Sequence, residues 1–599
     1  MKSYYFILLY SLVFINPSTS LFSQKSAEIS FYIDLSEIEY KGKVGIRGDH
    51  SPLSWYETIP LKKISKDYYG ISIPFQEREK NLEYKFVIDQ GNENIRWENI
   101  PNRSEKIVDG LVLNEKWNTA PPIIVKDLPK ISTEGIKKDI EILSSALEEL
   151  HPGILRYNQL GEFKNFTSEL GSSITSDITY AEAFLILSKI TAQVKCDHTF
   201  PSFYNQGSLI KEAIHNQKDK LPFTFKWVNN EMIVFEDATS NSKLVPGTRI
   251  ISINNTPVQD ILKAILPHIS TDGNNDQNKI SKTEIRGYEL IYDAFDVYYP
   301  ILYPKQQNLL KLEINLPNSK GNTSITTEYV TRESRINILN ERNESRPRTI
   351  NDAWAFRFLE DDIAYLQIGS FATEIYEGSW EKFLNDSFKK IRKKKVKNLI
   401  VDIRENTGGQ DAPGDYLFQK LVSRPCDINT YIGQKRFSKI PKSQEPFYQS
   451  WQIENLELQQ AISPDNNGIF ELENEFKYSI LKPSKKGFNG NVYLMTSSKN
   501  VSAAYYFVDK FKRCNVGQIV GEMTGGNQNG INGGTILFMQ LPNTKIEIDI
   551  PIIGSLRRNP EKYSDMGIVP DVILENKRLD IIHKRDGQLS GLIRLIYSK

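Results

Sequence analysis

The chain has 599 residues, too many for one hydrophobic core, and its size alone predicts three or four domains. Its 75 basic and 74 acidic residues balance, which removes the electrostatic case for nucleic acid as a partner. Three widely spaced cysteines, Cys196, Cys426 and Cys514, form neither a disulfide framework nor a metal-ligand cluster; they read first as buried hydrophobes, with one chance pair as the alternative.

Residues 1–23 carry one early lysine, the apolar run YYFILLYSLVFI, and small residues before Gln24. That is the pattern of a cleaved signal peptide, with an uncleaved anchor as the alternative. No cysteine lies nearby for lipid attachment. No later run approaches about 18 apolar residues, so the mature protein is expected to be exported, soluble and without a transmembrane segment.

Residues 26–117 alternate as short strands (ISFYIDL, KVGIRG, YYGISIPF, LEYKFVID) divided by Gly, Pro, Asn and Asp, the pattern of a small β-sandwich. Gly48, the triplet Leu53, Ser54 and Trp55, the triplet Tyr84, Lys85 and Phe86, then Trp97 with Glu98, and Pro101, Asn102 and Arg103 follow in turn. On these residues the segment resembles the starch-binding type of carbohydrate-binding module. The resemblance implies that Trp55 and Trp97 stack on sugar faces while Lys85 and Asn102 supply hydrogen bonds, with a starch-like glycan as partner. The alternative is two core tryptophans in a spacer module.

Residues 118–129 are Pro-rich and read as a linker. Residues 130–204 turn helical: Ile136, Ile140, Leu143, Leu147 and Leu150 share one face before Pro152 and Gly153 stop the helix. A second helix, YAEAFLILSKITAQV, runs into Cys196, Asp197, His198 and Thr199. Within residues 205–335, LVPGTRIISINNTPVQDIL resembles the turn, strand and helix start of a PDZ domain, which implies capture of an extended peptide by strand addition. The polar segment 336–354 is expected to be a mobile connection, and an α/β domain follows over residues 355–599.

In that last domain an apolar strand at 492–495 breaks at small polar residues. A helical pattern (Ala503, Tyr506, Phe507, Phe511), a strand at 518–520 and the turn GEMTGG come next. Strand, turn, helix, strand is the unit of a right-handed parallel crossover. Ser502 stands at the strand-to-helix junction, where a hydroxyl projects from the sheet edge beside unpaired N–H groups. The place suits a nucleophile, and on this stretch alone it suits an ordinary N-cap better.

Five segments in order, AYLQIGSF, VDIRENTGG, SAAYYF, GEMTGG and GIVPD, resemble the tail-specific, or C-terminal-processing, serine peptidase family. The resemblance implies Ser502 as nucleophile, with Ser497 and Ser498 fitting less well. It implies an oxyanion hole from the N–H of Ala503 and one N–H of the Gly408 and Gly409 turn, where glycine lets the backbone approach the carbonyl. No lysine occurs between 522 and 544, where many members place their base. The tricorn-like branch instead takes a histidine from the helical cap, which makes His198 the general base, with His151 the rival better suited to capping a helix. The third member is unsettled by the residues themselves. Ser564 holds the strict register, Asp565 is next to it and is taken first, Glu561 lies three earlier, and Asp571 fixes a turn.

The expected protein is a multidomain α+β and α/β chain: a β-sandwich, a helical cap, a PDZ-like domain and an α/β peptidase core with parallel crossovers. It is expected to be an exported serine endopeptidase cleaving polypeptides near C-termini through an acyl-enzyme, with no metal or organic cofactor. The periplasm or cell surface of a Gram-negative bacterium is the expected location. Two alternatives stand beside it: a non-catalytic binder on the same fold, and a glycan-processing protein. The latter needs two carboxylates about 5–10 Å apart across a sugar cleft, a pair that no motif supplies.

Overall fold

The computed structural model describes residues 26–118 and 128–598, apart from short breaks at 37, 79, 92–93, 101, 160, 290, 361, 374–377, 429, 451–455, 459–462 and 473–479. The leader 1–23 and most of the linker 118–129 lie outside the described residues. The chain divides into two compact units, residues 1–122 and 123–599.

The first unit is a sandwich of two sheets. One orders its strands Lys62–Ser65, Tyr68–Phe75, Ala27–Asp34 and Leu111–Lys116; the other is built on Lys43–Gly48 and Asn81–Asp89. Ala27–Asp34 buries alternate residues, as a strand covered on one face must. Phe31, Tyr84, Phe86 and Trp117 fill the space between the sheets.

The second unit holds three larger sheets. Phe223–Val228, Glu231–Asp237, Arg249–Ile253, Leu309–Asn315 and Thr323–Glu328 form an antiparallel sheet backed by the helix Val258–Ile265. Ala355–Glu360, Ile363–Gln367, Asn398–Asp402, Asn491–Thr496, Gln518–Gly521 and Val572–Ile573 form the next, in that order and parallel after the first strand. Asn398–Asp402 is buried at every position because helices cover both faces of a parallel sheet. The helices Asp411–Leu421 and Ser502–Arg513 pack on one face and Gly587–Tyr597 on the other.

The third sheet contains the long hairpin Asn532–Gln540 and Glu547–Arg557. The two-residue strand Phe200–Pro201, just past the cap helix Tyr180–Gln193, pairs with Glu547–Arg557. One hydrophobic core runs from cap residues such as Leu143 and Phe184 through Phe225 to Leu537 and Ile550. The cap and the end of the chain are therefore one packed body.

Two expectations need correction. Segment 336–354 is no mobile connection: the helix Arg332–Arg342, capped by Thr331, covers its start. Arg335 within that helix is fully buried against Asp296, and Trp354 is nearly buried. Polar composition hid a segment held by a buried ion pair. Likewise Cys426 and Cys514 are disulfide-bonded with Cα atoms 6.0 Å apart, leaving Cys196 as the free, buried thiol.

Candidate functional site

Ser502 is the first helical residue and not the cap. The cap position is Val501, and no side chain closes that end. The N-cap alternative therefore fails, and the Ser502 hydroxyl is not spent on its own helix. Its φ of +51° is left-handed, a conformation rare for a residue with a Cβ and kept only where the surroundings impose it. Buried Asn500 contributes the restraint. Its Nδ2 donates to the carbonyls of Ile403 (2.6 Å) and Asn406 (2.9 Å), and its Oδ1 accepts from the N–H of Ser497 (2.8 Å). Its own carbonyl accepts from the N–H groups of Gly525 and Gly526. One asparagine thus ties together three turns. Neither Asn500 nor Asn406 stood out in the linear reading, since asparagine in a glycine-rich turn is ordinary turn chemistry.

Gly408 and Gly409 both have left-handed φ, +113° and +129°. A Cβ on Gly408 would sit 2.7 Å from Ser502 Cβ and 3.1 Å from the Ala503 nitrogen, so this backbone lies directly against the serine. The Gly408 N–H is engaged by Asn406 Oδ1 at 2.9 Å. The N–H groups of Gly409 and Ala503 donate to nothing among the described residues, as expected for Ala503 in a first helical turn. Two open donors and one bare glycine therefore surround Ser502.

The Ser497 hydroxyl and the Lys499 ammonium are engaged elsewhere. Ser497 Oγ donates to the Arg404 carbonyl, and the Ser498 carbonyl accepts from Asn278. Lys499 sits between Glu405 (3.0 Å) and Glu284 (3.1 Å). Burial works against its charge, but those carboxylates outweigh burial and raise the ammonium pKa, so Lys499 stays a cation and no base.

His198 leaves the cap two residues before Phe200–Pro201, and its ring lies on the backbone of Gly533, where an added Cβ would meet ring atoms at 2.8–3.1 Å. The same glycine-rich segment touches the serine turn at its other end. A Cβ on Gly525 would meet the Val501 side chain, and one on Gly526 would meet the Tyr505 ring. Segment 525–533 therefore links the imidazole to the serine's turn, although no hydrogen bond joins the His198 ring to Ser502 Oγ. His198 Nδ1 is buried without a hydrogen-bond partner among the described residues. Burial lowers its pKa, with Asp197 opposing and Lys282 assisting.

The carboxylates near His198 are not the expected ones. Asp565 accepts from the Tyr157 hydroxyl (2.5 Å), Asn527 Nδ2 (2.8 Å) and Asn274 Nδ2 (3.2 Å), a network that does not include His198. Glu561 and Ser564 are exposed. The carboxyl beside the imidazole is Asp272. Its Oδ1 accepts from the Asp197 N–H at 3.0 Å, and its buried Oδ2 has no partner among the described residues. Cys196 Sγ, a His198 ring nitrogen and an Asp272 oxygen all lie within 4.8 Å of one another. This trio was not legible in the sequence, because Asp272 is 75 positions from Asp197 and only folding unites them. Burial, then the Asp197 carboxylate, pushes the Asp272 carboxyl up to about 8.

His151 does cap its helix: its backbone N–H reaches the Leu147 carbonyl, and its Nδ1 accepts from Gly153. Burial, then Arg156, lowers it to about 3. Asp571 accepts from the Ile519 N–H at 2.8 Å and holds a turn.

In the first unit, Trp55 and Trp97 face each other with ring centroids 6.2 Å apart and planes at 44°. Trp97 is 38% exposed, whereas Trp117 is the tryptophan inside the core. Lys85 Nζ donates to the Glu98 carbonyl and Asn102 Nδ2 to Glu83 beside this pair.

Residues 362–574 match the peptidase family S41, and residues 26–115 match the starch binding domain. The chain thus carries a peptidase S41 domain and a starch binding domain, and it is a serine-type peptidase. Among solved structures, it is similar to mature CPAF complexed with lactacystin (TM-score 0.54, 13% identity, covering 77% of this chain and 97% of that one). It is similarly related to mature CPAF alone (0.54, 14%, 77% and 96%). The photosystem II D1 C-terminal processing protease matches at a TM-score of 0.36 and 13% identity, over 74% and 92% of the two chains. At such identity the CPAF matches speak for the fold alone.

Proposed function

We propose that this chain is an exported endopeptidase that cuts polypeptides near their C-termini through a Ser502 acyl-enzyme, with His198 as general base. The observation that carries this reading is a left-handed Ser502 whose hydroxyl its helix does not use, set beside the open N–H groups of Ala503 and Gly409. Ser502 Oγ attacks the scissile carbonyl and passes its proton to His198. The two N–H groups hold the oxyanion, and His198 returns the proton to the leaving amine before water releases the acyl group. Contact between the imidazole and the hydroxyl is expected to tighten on substrate, as catalytic hydrogen bonds commonly do. Asp272 takes the orienting role expected of Asp565, since it shares the imidazole's pocket.

The PDZ-like sheet of residues 205–335 holds the substrate tail in this reading. It is supported by a cavity of about 1050 Å³ that opens between that sheet and the carboxyl ends of the parallel strands. Lys226, Arg286, Arg346, Glu405, Lys499 and Glu522 line it, whereas Ser502 and His198 do not. It therefore lies beside the chemistry and suits a tail more than a scissile bond. The tilted Trp55 and Trp97 pair is read as a glucan platform. Export is supported by the leader pattern of residues 1–23 and by the Cys426–Cys514 bond, since disulfides persist in oxidising compartments such as the periplasm or the cell surface of a Gram-negative bacterium.

A fluorophosphonate probe tests the central claim. Stoichiometric labelling is expected, with labelling lost in Ser502→Ala and peptide hydrolysis reduced on the order of 10⁴-fold or more in Ser502→Ala and His198→Ala. A folded protein that never labels would be the non-catalytic binder.

A further inference from the structure

The cap cluster contains more than a general base needs. Cys196 is fully buried and Asp272 is 3% exposed, and with His198 they bring one sulfur, one nitrogen and one oxygen within 4.8 Å of one another. Two atoms of this trio, His198 Nδ1 and Asp272 Oδ2, are buried and unpartnered among the described residues. Orphaned buried polar atoms are uncommon and call for a missing partner. A thiol, an imidazole and a carboxyl are the donor types that zinc combines, and around a tetrahedral zinc they stand about 3.3–3.7 Å apart. Side-chain shifts on the order of 1 Å bring this trio to that geometry.

We propose that Cys196, His198 and Asp272 form a binding site for a divalent zinc-type cation, and that occupancy switches the peptidase off. On binding, the Cys196 thiol and the Asp272 carboxyl release their protons to solvent, so that Cys196 coordinates as thiolate and Asp272 as carboxylate through Oδ2, while His198 donates a ring nitrogen lone pair. The fourth position is left for water. An imidazole fixed on a metal no longer swings toward Ser502, so the cation acts as a reversible brake. The brake rests on the Ser502 and His198 reading; the metal site does not.

Cobalt(II) and zinc(II) added to the chelator-treated full chain test both parts. The chain has three cysteines and two are joined to each other, so a thiolate-to-cobalt absorption band reports Cys196 alone. One equivalent of cobalt should produce that band, zinc should displace it, and Cys196→Ser and Cys196→Ala should both lack it. Fluorophosphonate labelling should stop with one equivalent of zinc, return with chelator, and persist in zinc-treated Cys196→Ser. Absence of a cobalt band in the wild type overturns the site, whatever the labelling shows. A Cys196-dependent band in a protein that never labels without metal leaves the site standing and removes the peptidase reading. A band with zinc-insensitive labelling refutes the brake.

Discussion

The turn that carries Ser502 is held by its neighbours. Asn500 and Asn406 restrain the turns, and Gly408 must stay bare because any Cβ there strikes the serine's own Cβ at 2.7 Å and strains a left-handed φ. Gly408→Ala should therefore lower kcat by about 10²-fold or more, the scale of a lost oxyanion donor, while circular dichroism stays native. Near-normal turnover in that variant would contradict the tight approach. The imidazole makes a second claim at this scale. Unperturbed histidine titrates near 6.5, and burial lowers His198, so its neutral form persists to lower pH than usual. The acid limb of kcat/KM in metal-free protein is expected below about 6.5. A limb at 7 or above (about half a unit over the unperturbed value) would tell against His198 as the base.

Elements here are joined by buried charge as well as apolar packing. The helix Arg332–Arg342 docks through Arg335, whose Nη1 donates to Asp296 (3.0 Å) and to the Leu221 carbonyl (3.0 Å) with no exposure to water. Removing one member of such a pair leaves a charge buried without compensation, at a cost of about 3–5 kcal/mol. Arg335→Ala should destabilise the protein on that scale in urea unfolding, and a loss under about 1 kcal/mol would mean that water reaches Asp296. The strand Phe200–Pro201 does similar work for the site: pairing with Glu547–Arg557 carries the end of the cap, and His198 with it, onto the C-terminal hairpin.

At the scale of the molecule, the sandwich and the peptidase body each enclose their own core. Glycan binding and proteolysis should therefore separate. Trp97→Ala in the full chain is expected to lose retention on amylose while fluorophosphonate labelling is unchanged, because the exposed indole supports no core. Coupled loss of both would show that the units depend on each other.

Much of this arrangement is written in neighbouring residues. The apolar run before Ser502, the helical spacing after it and the paired glycines at 408 and 409 suffice for a strand, a turn and a helix, and they appear as Asn491–Thr496 and Ser502–Arg513. Periodicity and turn chemistry act over a few positions, so a linear reading reaches them. It could not reach the choice of Asp272 over Asp565 beside the imidazole, the Cys426–Cys514 bond across 88 positions, or the burial of Arg335 in a polar stretch. Those pairings join residues far apart in the chain, and burial selects among chemically equivalent partners only after the chain has closed around them.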